Sequence, residues 1–338
     1  EQKLITGLKD LLEKHKKKAP PKMQKVMSVR EHKKTGDWHI HLRGGIRNLG
    51  PVVPRGFLAV ATPQGVSPYP EIPEASSGRL ELAHWVASPK NPLTARVFVN
   101  RVWRYLFGRG IVASTDNFGE MGDRPTHPKL LDYLAAFFME NNWSTKSLIR
   151  NIVLSDVYQM SSSPSFLTIK KDPENQLFSR QNRRRLEAEA IRDSMLLASG
   201  RISFENFPGN QSRSVFEKIN RNQVPDLFAV FDYPNPGLVT GNRNTSTVPT
   251  QALFMMNNEF VMKQASLAGK IIFTRMDLKN EKKIELAFLT CLGRKPNAEE
   301  SKLVNGFFNE SLKGEFTAKA MEGLVHSLFA CLDFRYLN

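Results

Sequence analysis

The chain has 338 residues, 41% of them apolar, enough for the buried core of one large domain or two ordinary ones, which excludes general disorder. No run approaches the roughly 18 consecutive apolar residues that a membrane-crossing helix needs. The formal charge of +15 is uneven: residues 1–55 hold 14 Lys or Arg against 5 Asp or Glu, so the cationic excess sits at one end and speaks of partners rather than of fold.

Along the chain, Leu4, Ile5, Leu8, Leu11 and Leu12 recur at helical spacing until Pro20 and Pro21, which predicts a basic helix and linker over residues 1–24. The opening lacks the apolar stretch of a secretion signal, and Glu at position 1 predicts a mature product or a piece of something longer. KVMSVREH and DWHIHLRGG flank KKTGD and predict a β-hairpin, with Trp38, Ile40 and Leu42 alternating against His39, His41 and Arg43. Residues 48–78 are rich in Pro and Gly and predict an extended surface connector, so 25–77 forms a second segment.

From Gly78 to the end the pattern is helical, giving a third segment, 78–338. Arg79–Ala87 and Leu93–Phe107 are amphipathic, the latter with Leu93, Val97, Val102, Leu106 and Phe107 inward and Gly108 in its C-terminal turn. Pro128 suits the first position of a helix whose stripe is Leu131, Leu134 and Phe138, and Ser144 suits the cap of the next. LEAEAIRDSMLLASG is a further helix, residues 205–249 read as irregular, and helices resume near Thr250. Asn297 followed by Glu300 predicts a capping box. The fold class expected is mainly α, a multi-helix globular domain with a small N-terminal β-hairpin and long irregular connectors. The two cysteines, Cys291 and Cys331, lie on helical stripes and are expected as buried thiols; no CxxC, CxxCH or zinc spacing is present, so no haem attaches to this chain and no cofactor is expected.

The run GRLELAHWVASPKNPLTARVFVNRVWRYLFGRGIVASTDNFGEMGDRPTHPKLLDYLAAFF (78–138) resembles the C-terminal domain of unknown function of planctomycete-type cytochrome-c-associated exported surface proteins. RRRLEAEAIRDSMLLASGRI, FDYPNPGLVTGNRNTSTVPTQALFMMNNEFVMKQA, LGRKPNAEE and FACLDFRYLN resemble that family's successive blocks, in order. The resemblance implies export to the periplasm or cell surface, and the company of other exported proteins including a cytochrome c domain. It implies no reaction. The ending ACLDFRYLN departs from the family's pattern.

The helix around residue 100 carries the best polar cluster, Arg96, Asn100, Arg101 and Arg104 beside Trp103, a set able to hold a sugar or carboxylate through guanidinium forks and an aromatic platform. The alternative is that Trp103 packs inside and the arginines bind carbonyls or Asp116. The loop STDNFGEMGDRPTH adds Asp116 and His127, but its spacing is not that of a calcium loop, and His39 with His41 lacks a third ligand, so no metal is expected. Arg183, Arg184 and Arg185 precede Glu187 and Glu189, which predicts an ordinary salt-bridged helix, the alternative being a paired-carboxylate face of Glu189 and Asp193. GxSxG, HExxH and phosphate-binding glycine loops are missing. The leading expectation is a non-catalytic scaffold or binding module of an exported complex, glycan-associated through an anionic glycan or other polyanion. The alternative is an enzyme acting on an extracellular polysaccharide. Nucleic-acid binding through the basic end is the weakest reading, since no reader motif accompanies the lysines.

Overall fold

A computed structural model describes residues 2–17, 27–163, 165–204, 212–311 and 316–337. It divides the chain into two units, Glu1–Asn91 and Pro92–Asn338.

In the first unit, α1 (Gln2–Lys17) is the expected opening helix. Its stripe is not buried: Leu4, Ile5, Leu8, Leu11 and Leu12 are all exposed. Pro20 and Pro21, expected to end it, lie outside the described residues. The hairpin is present with a different partner: β1 (Trp38–His41) pairs antiparallel with β2 (Leu49–Val53), downstream, rather than with KVMSVREH, whose first two residues also fall outside the description. The turn explains the difference. Arg43 and Gly44 adopt positive φ, and Leu42 N–H donates to the Asn48 carbonyl at 2.9 Å, so the GG pair closes the hairpin where an expectation from alternation alone continued the strand. The register shifts between His39 and His41, which take separate bonds: His39 Nδ1 lies 2.7 Å from the Gly50 carbonyl, and Trp38 Nε1 donates to His41 Nε2. Helix α2 (Arg79–Val86) closes this unit, with Trp85 stacked on Phe57 at 5.1 Å.

The second unit is helical. α3 (Thr94–Phe107), α4 (Pro128–Glu140) and α5 (Thr145–Val153) build one core, in which Val99, Trp103, Phe107, Leu134, Phe138 and Leu148 are buried. Pro128 takes the first turn of α4 as expected, and the Ser144 hydroxyl accepts from Ser147 N–H to cap α5. The buried stripe of α3 is Ala95, Val99, Trp103 and Phe107, whereas Leu93, Val97, Val102 and Leu106 sit at its half-buried edges.

A short α6 (Phe166–Lys171) leads to β3 (Arg184–Arg185), and α7 (Ala188–Ala198), α8 (Asp226–Val230), α9 (Pro249–Asn257), α10 (Glu259–Phe273), α11 (Asn280–Leu292), α12 (Ala298–Ser311), α13 (Ala318–Ala330) and α14 (Leu332–Arg335) follow. α8 interrupts the stretch expected as irregular because Leu227 and Phe228 anchor it in the core. α10 and α13 pack along each other, and the Gly269 backbone approaches the Glu322 backbone so closely that a Cβ would lie 2.7 Å from the Glu322 Cα. The capping box is complete: Glu300 N–H donates to Asn297 Oδ1 and Asn297 N–H to Glu300 Oε2, both at 2.8 Å. Cys291 and Cys331 are free thiols, and burial pushes Cys291 up to about 12. A second strand pair joins β3 to β4 (Tyr336–Leu337), two residues on each side.

Candidate functional site

The seven residues singled out around α3 do not converge. Arg96 donates to Asp132 Oδ1 and to the Pro92 carbonyl, both at 2.7 Å, which ties α3 to α4. Asn100 is fully buried and works as a clamp: its Nδ2 donates to the Val112 carbonyl and its Oδ1 accepts from Val112 N–H, both at 2.9 Å. Gly110 makes room for it, since a Cβ there would lie 2.9 Å from the Asn100 amide. Trp103 is 4% exposed, stacked on Phe107 with ring centroids 4.1 Å apart, and is part of the core rather than a platform. Arg101 is exposed and borders no cavity described here. Asp116 is exposed and backs onto Gly241, where a Cβ would lie 2.3 Å from its carboxyl carbon. His127 lies beside Phe178 with Nδ1 3.0 Å from the Thr126 hydroxyl. Only Arg104 reaches a cleft.

That cleft, of about 590 Å³, lies between the end of α3, the segment around β3, the turn after α8, residues 243–247 and β4. Six arginines line it, Arg104, Arg109, Arg183, Arg184, Arg185 and Arg243, against three carboxylates, Glu174, Glu187 and Asp232. A second cavity of about 460 Å³ shares Arg104, Arg109 and Arg243 with it and extends toward Asn242. Asn242 is fixed from the α3–α4 loop, because Thr115 Oγ1 donates to the Gly241 carbonyl at 3.0 Å and lies 2.9 Å from Asn242 Oδ1.

Each arginine is held differently. Arg243 pairs with Glu189 at 2.7 Å and Glu187 at 3.1 Å; its desolvation is outweighed by these carboxylates, which raise its pKa, so it stays charged. The Arg184 guanidinium donates to the Tyr105 carbonyl. Arg109 lies 3.6 Å from Glu174. Arg104 lies over its neighbour Tyr105, and among the described residues it pairs with no carboxylate. Arg185 is the deepest, its side chain 4% exposed, and its Nη2 donates to Asp232 Oδ2 at 2.7 Å and to the Phe231 carbonyl at 3.2 Å. Asp232 sits at φ +59, in the left-handed region that Asp enters more readily than most residues, and is held there by Ser246 N–H and hydroxyl donation at 2.8 and 2.9 Å.

Arg185 therefore finds its partner 47 residues on, and Glu189 is paired from a residue 54 positions on, rather than the two sharing one salt-bridged helix face. α7 begins only at Ala188, which leaves Arg184 and Arg185 on β3 and Arg183 just ahead of it. The sequence signal was the arginine run itself; its partners were too distant in the chain to be read. Glu189 and Asp193 form no carboxylate pair either, since Asp193 accepts from Ser214 N–H and hydroxyl. Chemically, the cleft offers guanidinium donors with the Thr245, Thr247 and Tyr336 hydroxyls, and its lining holds no His or Cys. Among the described residues no group of three or more His, Cys, Asp or Glu is placed to hold a metal. Such a wall can bind oxyanions and sugar hydroxyls.

The profile of the PSD1 family, described as protein of unknown function (DUF1553), matches residues 78–308, more than half of the chain. No curated protein and no solved structure matches it.

Proposed function

This chain belongs to the PSD1 family, and we propose that it is a non-catalytic binding module whose arginine-lined cleft takes an anionic glycan. The observation that carries this reading is the charge of the cleft wall, six arginines against three carboxylates around about 590 Å³, continued by a second cavity with three of the same arginines. Guanidinium groups suit carboxylate and sulfate through planar, charge-assisted donation, and the hydroxyls of Thr245 and Tyr336 suit the sugar between them. The resemblance of the blocks from residue 78 onward to planctomycete-type surface proteins supports a place outside the cytoplasm, in a complex with other exported proteins including a cytochrome c domain. No helix among the described residues is long and apolar enough to cross a membrane.

Titration calorimetry with polygalacturonate, heparin and dextran tests the reading. Wild type is expected to bind one or both polyanions and to ignore dextran, and Arg104→Ala with Arg243→Ala is expected to weaken binding by at least about tenfold, or ~1.4 kcal/mol. Equal binding of dextran, or an unchanged affinity in the double variant, contradicts it.

A further inference from the structure

We propose that Arg185, on the wall of the cleft, and Arg335, behind that wall, together form an oxyanion subsite, which takes one carboxylate or sulfate group of the bound ligand. This rests on the cleft being the ligand site. The starting observation is a shortage of partners. Arg185 borders the cleft, its side chain is 4% exposed, and its Nη2 alone is engaged; Nε and Nη1 are shielded from solvent and meet no acceptor. Arg335, 4% exposed at the end of α14, donates no side-chain hydrogen bond and pairs with no carboxylate among the described residues, and its Nε is likewise shielded and unmet. The two arginines are neighbours across the β3–β4 junction, where Leu186 N–H donates to the Arg335 carbonyl at 2.7 Å, and their charges repel.

Among the described residues Asp232 is thus the one carboxylate paired with either of these two buried guanidinium groups, and it pairs with Arg185. Removing a charge from water without a counter-charge is expensive, and a chain with no use for the second cation would gain by carrying an apolar residue there. Of the eight shielded, unpartnered side-chain atoms among the described residues, four belong to Arg109, Arg185 and Arg335, all in or beside this cleft. An oxyanion supplies what is missing: a negative charge and lone pairs for Nε and Nη1. The strand pair that carries the two arginines is only two residues long on each side, and so short a ladder shifts at small cost, which opens the donors to the ligand.

The test is thermal unfolding of the full chain as wild type, Arg335→Met, Arg185→Met and Arg104→Ala/Arg243→Ala, in sodium galacturonate, sodium sulfate and sodium chloride at matched ionic strength, with polygalacturonate binding followed in parallel. Sulfate stabilises proteins generically by exclusion from their surface. The specific signal is therefore the wild-type shift minus that of Arg335→Met. Wild type is expected to gain at least about 2 °C over chloride in galacturonate, sulfate or both. A response to galacturonate alone assigns a carboxylate, and to sulfate alone a sulfate ester. Arg335→Met is expected to melt higher than wild type in chloride, because an uncompensated buried charge is gone. It and Arg185→Met should gain nothing specific from either oxyanion and bind polygalacturonate at least about fivefold more weakly. Equal oxyanion shifts in wild type and both methionine variants, or a lower melting point for Arg335→Met in chloride, overturn the subsite. If Arg104→Ala/Arg243→Ala alone loses polygalacturonate, the cleft reading stands and the subsite falls. If no variant changes binding, the cleft reading itself falls.

Discussion

Asn100 and Arg185 are both polar and both buried in the second unit, yet their surroundings differ in kind. Asn100 exchanges two hydrogen bonds with Val112, and a glycine keeps the space around it clear. Arg185 has one engaged nitrogen and two unmet ones, beside a second guanidinium with no counter-charge. Trp103 also has an unmet N–H, but a neutral donor costs far less to bury than a cation. The contrast teaches that burial of a polar residue does not mark function; the balance of its partners does. A satisfied group holds the scaffold, and on the proposed reading an unsatisfied charge keeps a place for the ligand.

Substitutions can break or sharpen that contrast. The largest effect is expected in the scaffold: Phe107, fully buried and ringed by Trp103, Tyr158 and Phe178, should cost about 3–5 kcal/mol on replacement by Ala, seen in denaturant unfolding, with oxyanion affinity per folded molecule unchanged. Next is Asp232→Asn, which removes the one counter-charge that Arg185 has among the described residues and should cost up to about 3 kcal/mol. Its distinguishing mark is a larger melting-point gain from galacturonate or sulfate than wild type shows, because the added anion then replaces the lost carboxylate. Asn100→Ala leaves the Val112 N–H and carbonyl unmet and should cost about 1–3 kcal/mol while the oxyanion response stays as in wild type. A loss of that response in Asn100→Ala would break the contrast.

The smallest effect concerns a satisfied charge that does not line the cleft. Arg294 hydrogen-bonds Glu300 and holds its carboxyl below the ordinary value of 4.5, with help from Asn297 N–H. A depressed carboxyl contributes stability above its unfolded value and loses it as the pH falls through the folded one. The wild type should therefore lose stability, relative to Glu300→Gln, as the pH drops below 4.5, and the two should run parallel from pH 6 to 8. A gap that widens toward alkaline pH would contradict the pairing.

What the sequence discloses follows the range over which each feature is decided. Caps are local, so Pro128, Ser144 and the Asn297–Glu300 box are legible from a few residues. The inward face of α3 is less so: Leu93, Val97, Val102 and Leu106 look as apolar as Val99 and Trp103, and only the position of α4 selects between them. The hairpin was legible as a hairpin, but Pro51 disguised its second strand; Pro is tolerated there on a two-stranded edge. The cleft was least legible. Its wall combines residues near 104, 185, 232, 243 and 336, and in sequence only Arg104 and the arginine run stand out, the run with the look of a salt-bridged helix. Net charge points instead to the first 55 residues, since the rest of the chain carries its arginine group within a segment of modest net charge.

On the proposed reading, partner-poor arginines in the cleft, and not arginine charge in general, hold the anion. Calorimetric titration of polygalacturonate into wild type, Arg185→Met, and Arg96→Ala/Arg101→Ala measures it most directly, since each of the two comparison arginines lies outside the cleft on the same helix as Arg104. The account predicts a loss of at least about fivefold for Arg185→Met and a change within about twofold for the Arg96 and Arg101 pair, both at an ionic strength near 0.15 M, where exposed charges are screened beyond roughly 8 Å. Equal losses in the two variants would show that the ligand follows net charge and would contradict it.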